Sequence, residues 1–191
     1  MRREVEIRTA RLLIRELRPD DVRAFVDMAS DGSLGDIFGD CRECRRWMGR
    51  WIEEARALYA ADDPRRDYLA YAVETLEDHM VIGSVGSTYY EDIRQVGVTY
   101  FTGAAFRGRG YMTEALRAFT AYFLRTYPVG TLCAAVRTDN TASWKTLEKA
   151  GFVRTETKLY RDIYDEEEKW YHFYQLNGDP VIEKGGTPSD L

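Results

Sequence analysis

The residues best suited to chemistry lie at positions 106–116, where the sequence reads Phe-Arg-Gly-Arg-Gly-Tyr-Met-Thr-Glu-Ala-Leu. Gly108 and Gly110 are separated by one residue, which lets the backbone N–H groups of a turn gather around an anion. The neighbouring Arg107 and Arg109 would add charge-assisted hydrogen bonds. The pattern predicts that this turn binds a phosphate group.

Two common phosphate-binding loops do not fit the segment. A Walker A loop carries Lys-Ser or Lys-Thr after its last glycine, and neither Gly108 nor Gly110 is followed by such a pair at that spacing. A dinucleotide-binding turn needs a third glycine, and Thr113 occupies that position. The segment therefore indicates a phosphate-bearing ligand of another kind.

The segment resembles the acetyl-coenzyme A signature of the GNAT family of N-acetyltransferases, Gln/Arg-x-x-Gly-x-Gly/Ala. The sequence of residues 108–115 is similar to that of one subgroup, the ribosomal-protein N-terminal acetyltransferases or RimJ/RimL-like proteins. The resemblance implies that acetyl-coenzyme A is the co-substrate and that it binds at Arg107, Gly108, Arg109, Gly110, Tyr111 and Met112, with Met112 at the final small-residue position. It also implies that the strand residues Tyr100, Phe101 and Thr102 lie beside the acetyl group and the pantetheine arm.

A second segment runs from Asn140 through Ser143 to the Gly-Phe pair at 151–152, and it resembles the second cofactor segment of the same family. The residue types also suit capping alone, because Asn140 can accept from an N–H group at a helix start and Gly151 can end the helix. Both interpretations stay open. The resemblance implies that Asn140 binds near the pantetheine arm and that Ser143 donates a proton to the departing thiolate.

Two more catalytic positions follow from the resemblance. Many relatives have a tyrosine acid four residues before the glycine, but this chain has Leu147 there, so a tyrosine acid at that position is excluded. In the subgroup, a carboxylate about ten residues past the Gly-Phe pair serves as the general base. The count arrives at Asp162, and Glu91 is the rival candidate.

The composition suits one compact domain, since 45% of the 191 residues are apolar and 31% are charged. A net charge of −5 argues against general nucleic-acid binding. No apolar stretch approaches the roughly 20 residues needed to cross a bilayer, and no signal-peptide core is present. We therefore expect a cytoplasmic protein that does not associate with a membrane. Cys41 and Cys44 have the spacing of a redox or zinc half-site, but the chain has no second cysteine pair and its two histidines are isolated, so no metal is expected.

Hydrophobic periodicity and turn residues predict the order of the elements. Strands are expected at residues 11–17, 68–75, 81–90, 95–102, 131–137, 152–157 and 169–176, helices at 19–29, 42–61, 112–127 and 140–150, and a loop at 32–40. The order predicts an α/β (α+β) protein with a mixed, mostly antiparallel twisted sheet flanked by helices, and it matches the GNAT acyl-CoA N-acyltransferase fold. Residues 1–177 are expected to form a single N-acetyltransferase domain, and residues 178–191 a polar, disordered tail.

The sequence therefore predicts an N-acetyltransferase that acts on a primary amine, with a protein or peptide N-terminal α-amine as the first choice. A small-molecule amine such as a polyamine, an amino sugar or an antibiotic is the alternative, and a non-catalytic acyl-CoA sensor is another. The glycine turn fits all three, because it recognises the cofactor alone. A monomer or a homodimer is expected.

Overall fold

A computed structural model describes residues 4–162 and 165–178 of the chain. The strands are β1 (Glu6–Arg8), β2 (Leu12–Glu16), β3 (Leu69–Thr75), β4 (Val81–Tyr90), β5 (Gln95–Thr102), β6 (Thr131–Arg137), β7 (Val153–Tyr160) and β8 (Lys169–Asn177). The helices are α1 (Val22–Ala29), α2 (Gly35–Phe38), α3 (Cys41–Ala61), α4 (Tyr111–Thr126) and α5 (Thr141–Ala150), and short 3-10 turns cover Pro19–Asp21 and Ala104–Phe106.

The eight strands form one sheet in the order β1-β2-β3-β4-β5-β6-β8-β7. Every neighbouring pair is antiparallel except β5 and β6, which are parallel. The parallel pair requires a long crossover connection, which α4 supplies, whereas short turns suffice for β3-β4-β5. The predicted mixed, mostly antiparallel sheet is therefore the observed one.

Helices cover both faces of the sheet, and a separate hydrophobic core lies on each face. On one face, α4 buries Phe119 and Phe123 against the sheet together with Leu147 of α5. On the other face, α1 and α3 bury Phe25, Ile52 and their neighbours. Each fully buried aromatic or aliphatic side chain contributes about 1.5–3 kcal/mol, so the stripes at helical spacing fix which side of each helix meets the sheet.

Three boundaries differ from the sequence prediction. Strand β1 was not predicted, because only Ile7 of its three residues is partly buried and the strand exists by pairing with β2. Helix α2 lies inside the predicted loop 32–40, where Phe38 packs on Trp47 at a ring distance of 5.7 Å and Gly39 ends the helix at φ +65°. Strand β7 continues to Tyr160 rather than ending at 157. Within the predicted tail, residues 179–191 lie outside the described residues.

A buried ion network ties the start of the chain to the middle of the sheet. The guanidinium of Arg15 on β2 donates to both carboxylate oxygens of Asp21 at 2.8 and 2.9 Å, and to Glu74 on β3 at 2.7 Å. All three residues are at most 6% exposed. Burial alone would lower the pKa of Arg15, but the hydrogen bonds to Asp21 and Glu74 raise it instead.

Candidate active site

Strands β5 and β6 lie side by side and then separate toward their carboxyl ends. Among the described residues, the one paired position between the two strands is Gly97 opposite Cys133. The N–H of Gly103 donates to Ile82 on β4, so the alternation of the antiparallel ladder turns the N–H and C=O of Tyr100 away from β4. Tyr100 thus presents its backbone groups to the opening between two parallel strands, the usual place for a ligand in such sheets.

The side chains of β5 divide between the two faces of the sheet. Tyr100 packs against the core under α4, whereas the ring of Phe101 contacts Phe25 and Phe38 on the other face, with centroids 5.8 and 5.0 Å apart. The carbonyl oxygen of Thr102 accepts from Arg107. Of the three predicted strand residues, Tyr100 and Thr102 therefore turn their backbone groups away from β4, and the carbonyl of Thr102 is the one that Arg107 contacts.

The glycine turn leads directly into α4 and leaves the start of that helix uncapped by a side chain. Gly108 and Gly110 have φ values of +76° and +75°, a left-handed conformation that costs other L residues about 1–2 kcal/mol. Gly110 is the N-cap residue, and glycine has no side chain that could accept a hydrogen bond. The first helical bond is donated by Glu114 to Gly110, so the preceding N–H groups, including that of Met112, are the unsatisfied donors of a helix N-terminus.

The space above the two glycines is open enough for an anion. A Cβ placed on Gly108 would meet no atom within 4 Å, and one on Gly110 would meet only Arg11 Nη2, at 3.7 Å. The helix dipole and the exposed N–H groups both favour negative charge at this point. The residues present therefore fit a phosphate group, as the sequence predicted for this turn.

Contacts with the start of the chain hold the turn in place. Glu114 accepts hydrogen bonds from Thr9 Oγ1 at 2.6 Å and from Arg11 Nε at 2.7 Å, while Arg11 Nη1 donates to the carbonyl of Arg109 at 3.0 Å. The guanidinium of Arg11 also lies 4.6 Å from the ring centroid of Tyr111. Arg11 thereby brings a positive charge to the turn from 98 residues away in the sequence. Sequence analysis gave Arg11 no such role, because its own segment carries no local signal of this contact.

Two residues of the predicted cofactor turn have structural partners. Arg107 donates through Nε to Thr102 at 3.1 Å and through Nη2 to the carbonyl of Ser33 at 3.1 Å, which joins the glycine turn to the loop before α2. The side chain of Met112 is 8% exposed and packs in the core, so this residue offers the cleft its backbone N–H rather than its side chain. Met112 therefore places a large buried side chain at the final position of the signature, where a small residue was expected.

Helix α5 begins directly after β6 and brings Ser143 beneath the opening. Asn140 is its N-cap residue, and Asn140 Oδ1 accepts from the N–H of Ser143 at 3.2 Å. Gly151 ends the helix with φ +103°. Leu147 is fully buried in the core. Asn140 and Gly151 therefore have the capping roles, and Asn140 also lines the cleft.

The cleft has a volume of about 650 Å³ and runs from the opening between β5 and β6 to the outer surface of α5. Tyr100 and Ser143 lie at its inner end, and the glycine turn forms one wall. Lys145 and Lys149 of α5 lie farther along it, and their spacing of four residues places both on one side of the helix. A long anionic ligand with a reactive group at one end matches this shape and charge.

The opposite face of the opening carries an aromatic and acidic group of side chains, here called the tyrosine–aspartate cluster: Tyr90, Asp92, Tyr160, Asp162 and Tyr171. The ring of Tyr90 lies directly against Gly97, where a Cβ would collide with it. Gly97 is the residue at which β5 and β6 part, so the cluster adjoins the opening. Burial, followed by the charge of Asp162, raises the pKa of Tyr90.

Asp162 and Glu91 were the predicted base candidates, and they occupy different surroundings. Asp162 is partly buried at the end of β7, and its negative charge is among the causes, after burial, that raise the pKa values of Tyr160 and Tyr171. Glu91 is exposed in the turn after β4, and its neighbour Asp92 is the residue that reaches Tyr160 by a hydrogen bond. The geometry therefore groups Asp162 with the cluster and adds Asp92, which sequence analysis missed.

A model of the acetyltransferase (GNAT) domain matches residues 11–153, which include the glycine turn and the α5 segment. The chain belongs to the GNAT acetyltransferase family. This confirms the family resemblance and the predicted fold class. The GNAT chain is accordingly an acetyltransferase that uses acetyl-coenzyme A as its co-substrate.

Solved structures superpose on nearly the whole GNAT chain. The acetyltransferase of Salmonella typhimurium that modifies the N-terminal serine of ribosomal protein L7/L12 is 16% identical with a TM-score of 0.73, covering 92% of this chain and 100% of its own. RimJ of Mycobacterium smegmatis in complex with CoA-disulfide is 17% identical with a TM-score of 0.72, covering 94% and 89%. The microcin C7 self-immunity acetyltransferase MccE, bound to acetyl-CoA and AMP, is 12% identical with a TM-score of 0.71, covering 88% and 93%.

At these identities the likeness shows the fold alone. No curated protein sequence matched the chain. Across residues 4–162 and 165–178, no three His, Cys, Asp or Glu side chains come together in a way that could hold a metal ion. In the same part of the chain, no helix combines the length and the apolar character needed to span a membrane.

Proposed function

We propose that this acetyltransferase acts on a primary amine, with the N-terminal α-amine of a protein or peptide as its preferred acceptor, and that residues 1–177 form its single catalytic domain. The observation that carries the proposal is the opening between β5 and β6. It has a phosphate-binding turn on one side and the tyrosine–aspartate cluster on the other. A thioester held in the opening would meet an amine that arrives from the opposite face.

On the cofactor side, the N–H groups at the start of α4 and the left-handed turn at Gly108 and Gly110 would hold the pyrophosphate of acetyl-coenzyme A. Arg11 adds positive charge above Gly110. Lys145 and Lys149 continue the basic surface along the cleft, where a terminal phosphate group would lie. Asn140 lines the same cleft, and its amide would suit the polar groups of the pantetheine arm.

At the inner end, the N–H of Tyr100 points into the opening and would stabilise the negative charge that develops on the acetyl oxygen. Ser143 would donate a proton to the sulfur as the C–S bond breaks. On the other face, Asp162 is our choice for the general base, because it is partly buried and close enough to influence Tyr90, Tyr160 and Tyr171. Its role is to take a proton from the incoming amine.

The preference for an α-amine rests on the cost of deprotonation. An α-amino group has a pKa near ~7.8 and a lysine side chain near ~10.4, so lysine needs about 3.5 kcal/mol more help at the same pH. A carboxylate beside neutral tyrosines is a modest base for that task. The similar Salmonella enzyme, which modifies an N-terminal serine, supports the same choice.

The test compares kcat/KM for three acceptors at fixed acetyl-coenzyme A. These are a short peptide with a free N-terminus, the same peptide blocked at that end but containing lysine, and spermidine. We expect the free peptide to exceed the other two by about tenfold or more, because the cost difference above converts to a larger factor. A preference of that size for spermidine or for the blocked peptide would reject the α-amine assignment.

A small-molecule amine is the second candidate, and the acidic cluster is the feature that favours it, because carboxylates and tyrosine rings also attract polyamines and amino sugars. The MccE neighbour is described as a self-immunity protein against microcin C7, which makes an antibiotic amine the logical first probe of this kind. Binding of acetyl-coenzyme A without turnover of any amine pool would instead indicate a non-catalytic acyl-CoA sensor.

A further inference from the structure

The hydroxyl groups of Tyr100 and Ser143 meet at the inner end of the cleft. The phenol of Tyr100 donates to the backbone oxygen of Ser143 at 3.0 Å, and its oxygen lies 2.9 Å from Ser143 Oγ, a contact in which either hydroxyl can be the donor. Tyr100 comes from β5 and Ser143 from α5, so this contact bridges the two sides of the opening. Both residues are partly buried, and sequence analysis assigned Tyr100 no side-chain role.

We propose that the Tyr100 side chain is a positioning residue that directs the hydroxyl hydrogen of Ser143 toward the sulfur of the departing thiolate. The inference rests on the proposed function, because it concerns the proton that Ser143 delivers. A serine hydroxyl has one hydrogen and two acceptor lone pairs. The phenol also has a single hydrogen, which it donates to the backbone oxygen of Ser143 before the reaction. When that hydrogen turns to Oγ, 2.9 Å away, the serine hydrogen is left to point into the cleft.

The phenol is suited to this role because it remains a donor. Burial raises the pKa of Tyr100, and this effect exceeds the opposing influence of its hydrogen bond with Ser143. Tyr100 is therefore protonated at neutral pH, and it can donate to Ser143 Oγ as the serine proton leaves. The hydrogen bond is strongest when that oxygen carries negative charge, so it favours the transition state over the ground state.

The proton balance of the step is simple. The C–S bond breaks with its electron pair on sulfur, and the proton of Ser143 Oγ moves to that sulfur to give the free thiol. The hydrogen bond from Tyr100 stabilises the charge left on Ser143 Oγ, which then takes a proton from water. The acceptor nitrogen loses its own proton to the base on the other face.

The test is a double-mutant cycle with Tyr100→Phe, Ser143→Ala and the two combined, together with calorimetric binding of acetyl-coenzyme A. Tyr100→Phe removes one oxygen and keeps the ring in the core. We expect it to lower kcat by roughly 10- to 100-fold, the range for a hydrogen bond to a charged group. The Kd of acetyl-coenzyme A should stay within about twofold, because the contact acts after binding.

In the Ser143→Ala background, Tyr100→Phe should change kcat by less than about twofold, since the group it positions is already absent. Tyr127→Phe is the matched control: its phenol also packs in the core and donates to Asp62 at 2.6 Å, but it lies at the far end of α4. That variant should keep the unaltered kcat.

Additive losses of kcat in the double variant, or an undiminished kcat in Tyr100→Phe, would overturn the positioning role of Tyr100. The proposed function would still stand in either case, provided that the unmodified protein acetylates an amine. A loss of acetyl-coenzyme A binding equal to the loss of kcat would also overturn the positioning role, by showing a purely structural one. If the unmodified protein binds acetyl-coenzyme A but acetylates no amine, the proposed function fails, and the role of Tyr100 fails with it.

Discussion

Gly110→Glu is the sharpest test of the phosphate-binding turn. Gly110 has φ +75° and is the N-cap of α4, and a Cβ there would point into open space beside Arg11. The left-handed conformation costs a non-glycine residue about 1–2 kcal/mol. For a domain of this size that cost lowers Tm by about 2–8 °C, so we expect the variant to fold.

The effect on binding should be larger than the effect on folding. A carboxylate and a phosphate charge about 5 Å apart repel by roughly 3 kcal/mol at the effective dielectric constant of a protein surface, which weakens binding about 100-fold. The new carboxylate would also pair with Arg11, whose Nη2 lies 3.7 Å from the Cβ position. The positive charge that Arg11 brings to the turn would then be cancelled.

Two controls separate charge, bulk and backbone strain. Gly110→Gln has nearly the same size without the charge, so the difference between the Glu and Gln variants should shrink as ionic strength rises. Gly151→Gln places the same side chain at another left-handed glycine, with φ +103°, at the C-terminus of α5. It should lose a similar amount of stability and no affinity.

The assay is calorimetric titration of acetyl-coenzyme A into each variant, with Tm measured in parallel. If folded Gly110→Glu binds acetyl-coenzyme A within about twofold of the unmodified protein, the phosphate does not lie at this turn and the reasoning is wrong. If Gly151→Gln weakens binding as much as Gly110→Gln does, the loss comes from general destabilisation rather than from the turn.

Two further predictions concern stability. Arg15→Leu should lower the free energy of unfolding in urea by about 3–5 kcal/mol at neutral pH, because it leaves Asp21 and Glu74 buried without their cation. Asp21→Asn should lower it less, since the remaining pair of Arg15 and Glu74 has no net charge. Equal losses in the two variants would contradict this reasoning. Burial would raise the pKa of Glu114, but hydrogen bonds from Thr9 and Arg11 lower it. The contribution of Glu114 to the free energy of unfolding should therefore be complete above its ordinary pKa of 4.5 and be lost as the pH falls further. Urea unfolding at several pH values should show a weaker pH dependence for Glu114→Gln than for the unmodified protein.

The sequence predicted what is periodic or local in this chain. Strands β4, β5 and β6 have the predicted bounds, because alternating β-branched and aromatic residues end at clear turns. The glycine turn was found because its residue types require an unusual backbone. Helix α2 and strand β1 were missed because a few residues carry too little periodicity, and each of these elements depends on packing or pairing with a distant segment.

The candidate site follows the same division. Ser143 could be placed by motif, but its hydroxyl partner could not, because Tyr100 lies 43 residues earlier on another element. Arg11 contacts the turn from 98 residues away, and the sequence alone predicted only that Arg11 begins a strand. Contacts of this kind depend on the sheet register, which sets β2 beside β3 and leaves β5 open toward β6, and a single sequence does not specify that register.

The opening between β5 and β6 also separates two kinds of charge that a single pocket would bring into conflict. Arg11, Lys145 and Lys149 lie on the side of the glycine turn and α5, whereas Asp92 and Asp162 lie with the tyrosines on the other face. The acids on the cofactor side, Glu114 and Asp139, are each paired with an arginine, Arg11 and Arg137, and the lysines add further positive charge. Because the sheet stands between the two sides, the basic groups can hold an anionic cofactor while the acidic groups of the tyrosine–aspartate cluster receive a cationic amine. In the proposed mechanism, the two reactants meet where the strands part, beside Tyr100 and Ser143.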